Sequence, residues 1–205
     1  MKLTVFGATG GIGRQIVEQG IARGHEVTAI ARRPVELGCD VVVAELSDAG
    51  AVTAAVAGRD AVLSALGPRP GGGRSTVQAD GARAAVAAMR ATGVRRIVSV
   101  DAAGRVADRG DGTITRVAVK PLLQRLLRNG FEDLAEAERV LRASELDWTL
   151  ISPPRLTNDG HRPYRTVVDR NVRGARSLSR ADVADAMFAA LADQAQIQHR
   201  VNVAY

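Results

Sequence analysis

The residues best placed to do chemistry come first in the chain. Leu3-Thr-Val-Phe-Gly7-Ala-Thr-Gly10-Gly-Ile-Gly13 runs from an apolar, β-branched stretch into a glycine-spaced loop, and a helical pattern begins at Arg14. A dinucleotide pyrophosphate needs that order of strand, loop and helix. Gly7 permits the tight turn out of the strand, Gly10 lets backbone approach the phosphates, and Gly13 lets the helix close on the strand. Backbone amides from Thr9 through Gly10, Gly11 and Ile12 would then meet the phosphates at the positive end of the helix dipole. The competing reading is a tight strand-to-helix turn with no ligand, and the context directly after a strand favours the dinucleotide.

The end of the second strand chooses between nicotinamide cofactors. A carboxylate there accepts from the ribose hydroxyl of NAD, whereas arginine accommodates a 2′-phosphate. The strand ends Ala31-Arg32-Arg33-Pro34, so NADP(H) is expected in preference to NAD(H), with Arg32 reading the phosphate and Arg33 assisting. Arginine is abundant throughout the chain, and two solvated arginines are the alternative. Glu45 and Leu46 after the third strand, Leu66 and Gly67 after the fourth, Val100 at the end of the fifth and Pro153 after the sixth complete the expected cofactor contacts. Asp101 is the candidate catalytic acid, if burial lets it hold a proton; its alternative role is a loop carboxylate satisfied by backbone amides. Arg155 could meet an anionic substrate group or simply face solvent. His25 and His161 have no Cys, His, Asp or Glu neighbours at ligand spacing, so no metal site is expected. Arg109-Gly-Asp111 is read as a chance loop sequence.

The elements that must position these residues alternate. Strands are expected at His25–Ala31, Asp40–Leu46, Asp60–Leu66, Arg96–Val100, Trp148–Ser152, Tyr164–Val168 and His199–Tyr205. Helices are expected at Arg14–Arg23, Asp48–Ala57, Thr76–Thr92, Arg116–Arg128, Glu132–Ser144 and Ala181–Leu191, with Asn129-Gly130 breaking the chain between the fourth and fifth. Ser179 caps the last helix. Strands that are nearly continuous apolar runs, alternating with helices, predict one α/β domain: a doubly wound, mostly parallel Rossmann sheet with helices on both faces. Ligands of such sheets bind beyond the carboxyl ends of the strands. A substrate pocket is therefore expected where loops 67–75, 101–115 and 153–175 converge, within one domain spanning residues 1–205.

Composition narrows the partners. The chain has 205 residues, 46% hydrophobic and 24% charged, with a formal net charge of +6. Lys2 and Lys120 are its lysines; the remaining positive charge is arginine scattered among acids, with no basic stripe and few aromatics to stack bases. No nucleic acid is expected, and no membrane, because no apolar run approaches the roughly 20 residues that cross a bilayer. The lone Cys39 fits a reducing cytoplasm, and a cytoplasmic monomer or small homo-oligomer acting on a small-molecule acceptor is expected.

Gly7-Ala-Thr-Gly-Gly-Ile-Gly13, Arg32, Leu66-Gly67, Ser75-Thr-Val-Gln-Ala-Asp-Gly-Ala-Arg83 and Glu145-Leu-Asp-Trp-Thr-Leu-Ile-Ser-Pro-Pro154 resemble the atypical short-chain dehydrogenase/reductases. Within these the chain is similar to the NAD(P)H-binding group that includes biliverdin-IXβ/flavin reductases and NmrA-like proteins, over Lys2 to Tyr205. Tyrosine-dependent members protonate a substrate alkoxide with a Tyr-x-x-x-Lys pair and a serine after the fifth strand. Here Tyr164 is followed four residues later by Val168, the serine slots hold Asp101 and Ala102, and Leu134 stands where the lysine is expected. The resemblance therefore implies hydride transfer from NADPH to a flavin, quinone or similar conjugated acceptor, which needs little acid catalysis. It also implies an alternative: a non-catalytic NADP(H)-sensing regulator of NmrA-like type.

Overall fold

Alternate residues of the central strands are buried on opposite sides, which dictates helices on both faces. Leu3, Val5, Ala61, Leu63, Val98, Ile151, Val201 and Val203 point into one core, while Phe6, Val62, Ile97, Trp148 and Leu150 point into the other. Full burial of one such aliphatic side chain contributes roughly 1.5–3 kcal/mol. The computed structural model describes residues 1–68, 75–103, 105–106, 125 and 128–205.

The elements are β1 (Lys2–Phe6), α1 (Gly11–Ala22), β2 (Glu26–Ala31), β3 (Asp40–Val43), α2 (Ala49–Val56), β4 (Ala61–Ser64), α3 (Val77–Thr92), β5 (Arg96–Val100), α4 (Arg128–Arg142), β6 (Asp147–Ser152), β7 (Arg155–Thr157), β8 (Arg165–Val168), β9 (Ser177–Ser179), α5 (Arg180–Ala192) and β10 (His199–Ala204). Eight strands form one sheet in the order β3-β2-β1-β4-β5-β6-β10-β8. Every pairing in it is parallel except β8 with β10, where Val201 stands opposite Val168. Helices α1 and α5 cover the first core, and α2, α3 and α4 the second. The sheet is thus a doubly wound Rossmann sheet, and its order reverses between β1 and β4, opening a crevice at their carboxyl ends.

Local chemistry fixes the helix ends. Asp48 caps α2 by accepting from the Ala51 amide at 3.0 Å, and Ser179 caps α5 through the Asp182 amide at 3.0 Å, as its sequence position predicts. Helix α3 is capped from a distance: the Asp133 carboxylate, on α4, accepts from the Gln78 and Ala79 amides at 3.1 and 2.9 Å. Asn129 and Gly130 do not break the chain; both lie inside α4. Asp133, Leu134, Ala137 and Leu141 are buried from that helix, and this packing overrides the weak local preference of an Asn-Gly pair. The segment 153–175 is more ordered than expected, because β7 pairs with β9 in parallel, Leu156 opposite Leu178. Three-residue strands are too short to show a period in sequence. The helix expected at Arg116–Arg128 falls almost wholly outside the described residues, as do most of the loop Gly104–Thr115 and the tip of the loop 67–75.

Candidate dinucleotide site and the charge cluster beside it

The glycine loop is shaped by backbone contacts that exclude side chains. Gly7 sits at φ +75°, and a Cβ there would lie 2.7 Å from the Ala65 carbonyl carbon and oxygen. A Cβ on Gly13 would come 2.0 Å from the Gly7 oxygen and 2.7 Å from the Ala8 Cα, so α1 packs on the loop only because Gly13 has none. Gly10 differs from both. Its nearest neighbours to an added Cβ are the Gly7 oxygen at 3.3 Å and the Ala65 oxygen at 4.0 Å, so a methyl group there would need the loop to shift by only a few tenths of an ångström, far less than at Gly7 or Gly13. The Gly10 amide donates to the Gly7 oxygen at 3.0 Å, closing the turn and placing Gly10 as the residue that caps α1.

A cleft of about 300 Å³ opens above this loop at the switch point of the sheet. It brings together Gly7, Thr9, Gly10, Arg32, Leu46, Leu66 and Gly67 of the residues expected from sequence. Phe6, Ile30, Ala44, Ala65, Pro68 and Val77 also line it, residues whose lining role only the fold reveals. Gly11, Ile12 and Gly13 form the first turn of α1 beside it, with Ile12 and Gly13 buried. Glu45 lies in an adjoining groove with Arg32, Ser47, Thr76, Asp80 and Arg83. Arg33 is exposed and outside the cleft lining, as are Val100, half buried, and Pro153, buried. The rim is fixed by Gln78, whose side-chain amide donates to the Leu66 carbonyl at 3.3 Å. Leu66 itself leans on α3: a Cβ on Gly81 would lie 2.0 Å from its Cδ1.

Arg32 is exposed and has no ion-pair partner among the described residues, whereas Asp80 and Arg83 in the adjoining groove are paired at 3.0 Å. Another arginine near the loop escaped the sequence reading. Arg180, the first residue of α5, lies across Gly11, so a Cβ on Gly11 would meet its Cδ at 2.6 Å and its Nε at 2.7 Å. Nothing in its spacing points across the chain to residue 11.

The ends of β5 and β6 are occupied differently. Asp101 is buried, and its carboxylate accepts from Arg105 Nε at 3.0 Å, Arg105 Nη2 at 3.1 Å and Ser152 Oγ at 2.8 Å. Arg200 Nε lies 2.9 Å from the same carboxylate. Glu138, from α4, joins both arginines at 2.5 and 2.6 Å and Arg142 at 2.8 Å. Burial alone would raise the Glu138 carboxyl, but Arg200, Arg142 and Arg105 outweigh it and hold the group below its ordinary range. Burial works against the Arg105 charge too, and the hydrogen bonds and charges of Asp101 and Glu138 more than restore it. The arrangement leaves Asp101 serving as an acceptor from the Arg105 guanidinium and a serine, with Arg200 beside it as an ion-pair partner and backbone amides playing no part in holding its side chain.

Both tyrosines stand on the opposite face of the sheet, packed against the core shared with α1 and α5. Tyr164 donates to Asp185 at 2.7 Å, and burial followed by that hydrogen bond pushes its hydroxyl well above the usual range. Tyr205 donates to the fully buried Asp182, which also holds Ser179 at 2.8 Å and pairs with His161. Arg155 is exposed at the start of β7. Among the described residues, no cluster of three or more Cys, His, Asp or Glu side chains could hold a metal, and no helix is long and apolar enough to cross a membrane.

A glycine loop, a cleft at the switch point and a doubly wound sheet together define a Rossmann dinucleotide-binding protein. More particularly, the chain belongs to the NAD(P)H-binding family, which matches residues 7–194. A solved structure from Burkholderia pseudomallei, of a protein assigned as exported, superposes with a TM-score of 0.84 at 30% identity, covering 100% of both chains. One from Streptococcus pneumoniae, assigned as an NADH-flavin reductase, superposes with a TM-score of 0.81 at 25% identity, covering 100% of this chain and 99% of that one. An uncharacterized protein of Mycobacterium tuberculosis is 37% identical over 101 residues, which is 48% of this chain and 12% of that much longer protein.

Proposed function

We propose that the protein is an NADPH-dependent oxidoreductase that reduces a flavin, quinone or similar conjugated small molecule. The observation that carries this reading is the cleft at the β1–β4 switch point, floored by the glycine loop and flanked by Arg32, which has no ion-pair partner among the described residues. Its lining fits the cofactor: Gly10 lines the cleft with no side chain and is crowded by the protein less than Gly7 or Gly13, which suits the close approach of a pyrophosphate. The amides at the start of α1 hold the phosphates, and Arg32 supplies a charge-assisted contact to the 2′-phosphate. Phe6, Ile30, Leu46 and Leu66 exclude water from the groove. When bound, the reduced nicotinamide supplies a hydride.

No described residue near the ends of β5 and β6 is set up to protonate an alkoxide. Asp101 accepts from Arg105 and Ser152, so its role is to hold the β5 loop in place rather than to donate a proton. Tyr164 and Tyr205 are bound to Asp185 and Asp182 on the other face. An acceptor that spreads incoming charge over a conjugated system tolerates this, because it can take its proton from water afterwards. A simple aldehyde forgoes the roughly 10²–10⁴-fold that a positioned acid contributes. The test is NADPH oxidation by purified protein against flavins, quinones and aldehydes, alongside calorimetric titration of NADPH and NADH. Reduction of flavin or quinone with little of aldehyde is expected. Faster turnover of aldehydes overturns the acceptor class. Tight NADPH binding with no turnover of any acceptor replaces the enzyme with an NADP(H) sensor, which the paired state of Asp101 also suits.

A further inference from the structure

Residues 175–180 carry β9 into α5, and their last member reaches back to the glycine loop. The aliphatic stem of Arg180 fills the space that a side chain at position 11 would take, leaving its guanidinium carbon 3.7 Å from where a Gly11 Cβ would stand. One end of the guanidinium is fastened: Nη1 donates to the Thr157 carbonyl at 3.2 Å and to Asn158 Oδ1 at 2.6 Å. Its Nε and Nη2 have no partner among the described residues, and no carboxylate neutralises it there. A half-buried guanidinium anchored at one nitrogen and unsatisfied at two, set over the first residue of α1, is placed to meet the same anion as the amides of that turn.

We propose that Arg180 is a second cation of the dinucleotide site, directed at the pyrophosphate rather than at the 2′-phosphate that Arg32 reads. This rests on the NAD(P)H reading above. Because the pyrophosphate is common to both nicotinamide cofactors, Arg180 contributes equally to each, whereas Arg32 discriminates between them. Its fastening to Thr157 and Asn158 also ties the segment after β7 to the bound phosphates.

Calorimetric titration of NADPH and NADH with wild type, Arg180→Gln and Arg180→Met tests this. The methionine keeps an apolar stem against Gly11 and removes the charge, so it covers the case in which the glutamine variant packs poorly. Both variants are expected to lose on the order of 10–100-fold in affinity for NADPH and NADH alike. Their affinities should also fall less steeply with added KCl than those of wild type, since one phosphate-facing charge is gone. Asn158→Ala, which removes one anchor and no charge, should stay within about threefold of wild type. Unchanged affinity for both cofactors in a variant that melts like wild type overturns the role of Arg180 and leaves the function standing. Loss of affinity with an unchanged salt dependence overturns it as well, since Arg180 would then act only on the packing of the loop. Failure of the wild-type protein to bind either dinucleotide overturns both readings.

Discussion

The two halves of the sheet end differently. Beyond β1 and β4 the chain offers backbone: a loop of glycines, an apolar cleft and the exposed Arg32, without an ion-pair partner among the described residues. Beyond β5 and β6 it offers charges that are already paired, with Asp101, Arg105, Glu138 and Arg200 meeting one another under α4. The first half is shaped to receive a ligand's charge, and the second has neutralised its own. A buried ion cluster of this kind is weak evidence of stability gained, but removing one member leaves buried charge under-compensated.

That contrast breaks most visibly at Asp101. Asp101→Ala takes from Arg105 and Arg200 one of the two buried carboxylates they share and leaves the other, Glu138, to all three arginines around it, and is expected to cost about 3–5 kcal/mol in urea-melt stability. If Asp101 were instead a catalytic acid outside the structural frame, turnover would collapse while stability held. On the other half, Gly13→Ala forces a Cβ within 2.0 Å of the Gly7 oxygen and should destabilise by about 2–3 kcal/mol. Gly10→Val should melt close to wild type yet bind no NADPH, because its cost falls on the ligand. Equal behaviour of the two glycine variants in melting and in titration would erase the distinction between folding glycine and binding glycine. Arg32→Ala should lose roughly 10–150-fold in NADPH affinity and leave NADH almost unchanged. Equal loss for both cofactors would mean Arg32 does not read the 2′-phosphate.

The smallest effect is a pH dependence in the charged half. Glu138 has a folded pKa below its ordinary value of 4.5, so its contribution is complete above that value and is lost as pH falls through the lowered one. Wild type and Glu138→Gln should therefore differ in stability at pH 6, and the gap should close only as pH falls through the lowered folded value of Glu138. A gap that stays constant to low pH would show that Glu138 acts by packing rather than by charge.

The backbone half was legible in the sequence because its rules are local. Gly7, Gly10 and Gly13 are spaced along a few residues, and Arg32 follows β2 directly, so their place around one cleft shows in the linear order of the chain. Strand β5, Arg96–Val100, stands where its apolar run places it. The charged half is assembled from residues 101, 105, 138 and 200, brought together by β5, α4 and β10, and no spacing along the chain announces such a cluster. Asp101 drew notice for its place after β5, but its partners decide its chemistry. Asp133 capping α3, and Arg180 reaching Gly11, are hidden for the same reason: each acts on an element far away in sequence. Asn129 and Gly130 mislead in the opposite direction, since a strong local turn signal yields to the packing of α4 on α3.

Gly81 carries a last consequence. It lies inside α3, where alanine would favour the helix by roughly 0.5–1 kcal/mol, so on propensity alone it is a defect awaiting repair. The atom that such a repair would strike is the Leu66 Cδ1, and Leu66 is part of the wall of the cleft. A change that consensus reasoning would choose to stiffen the helix would thus push that leucine off α3 and alter the width of the groove. Bare of a side chain, Gly81 gives Leu66 its seat against α3, so the helix propensity at that one position and the wall of the cleft are coupled.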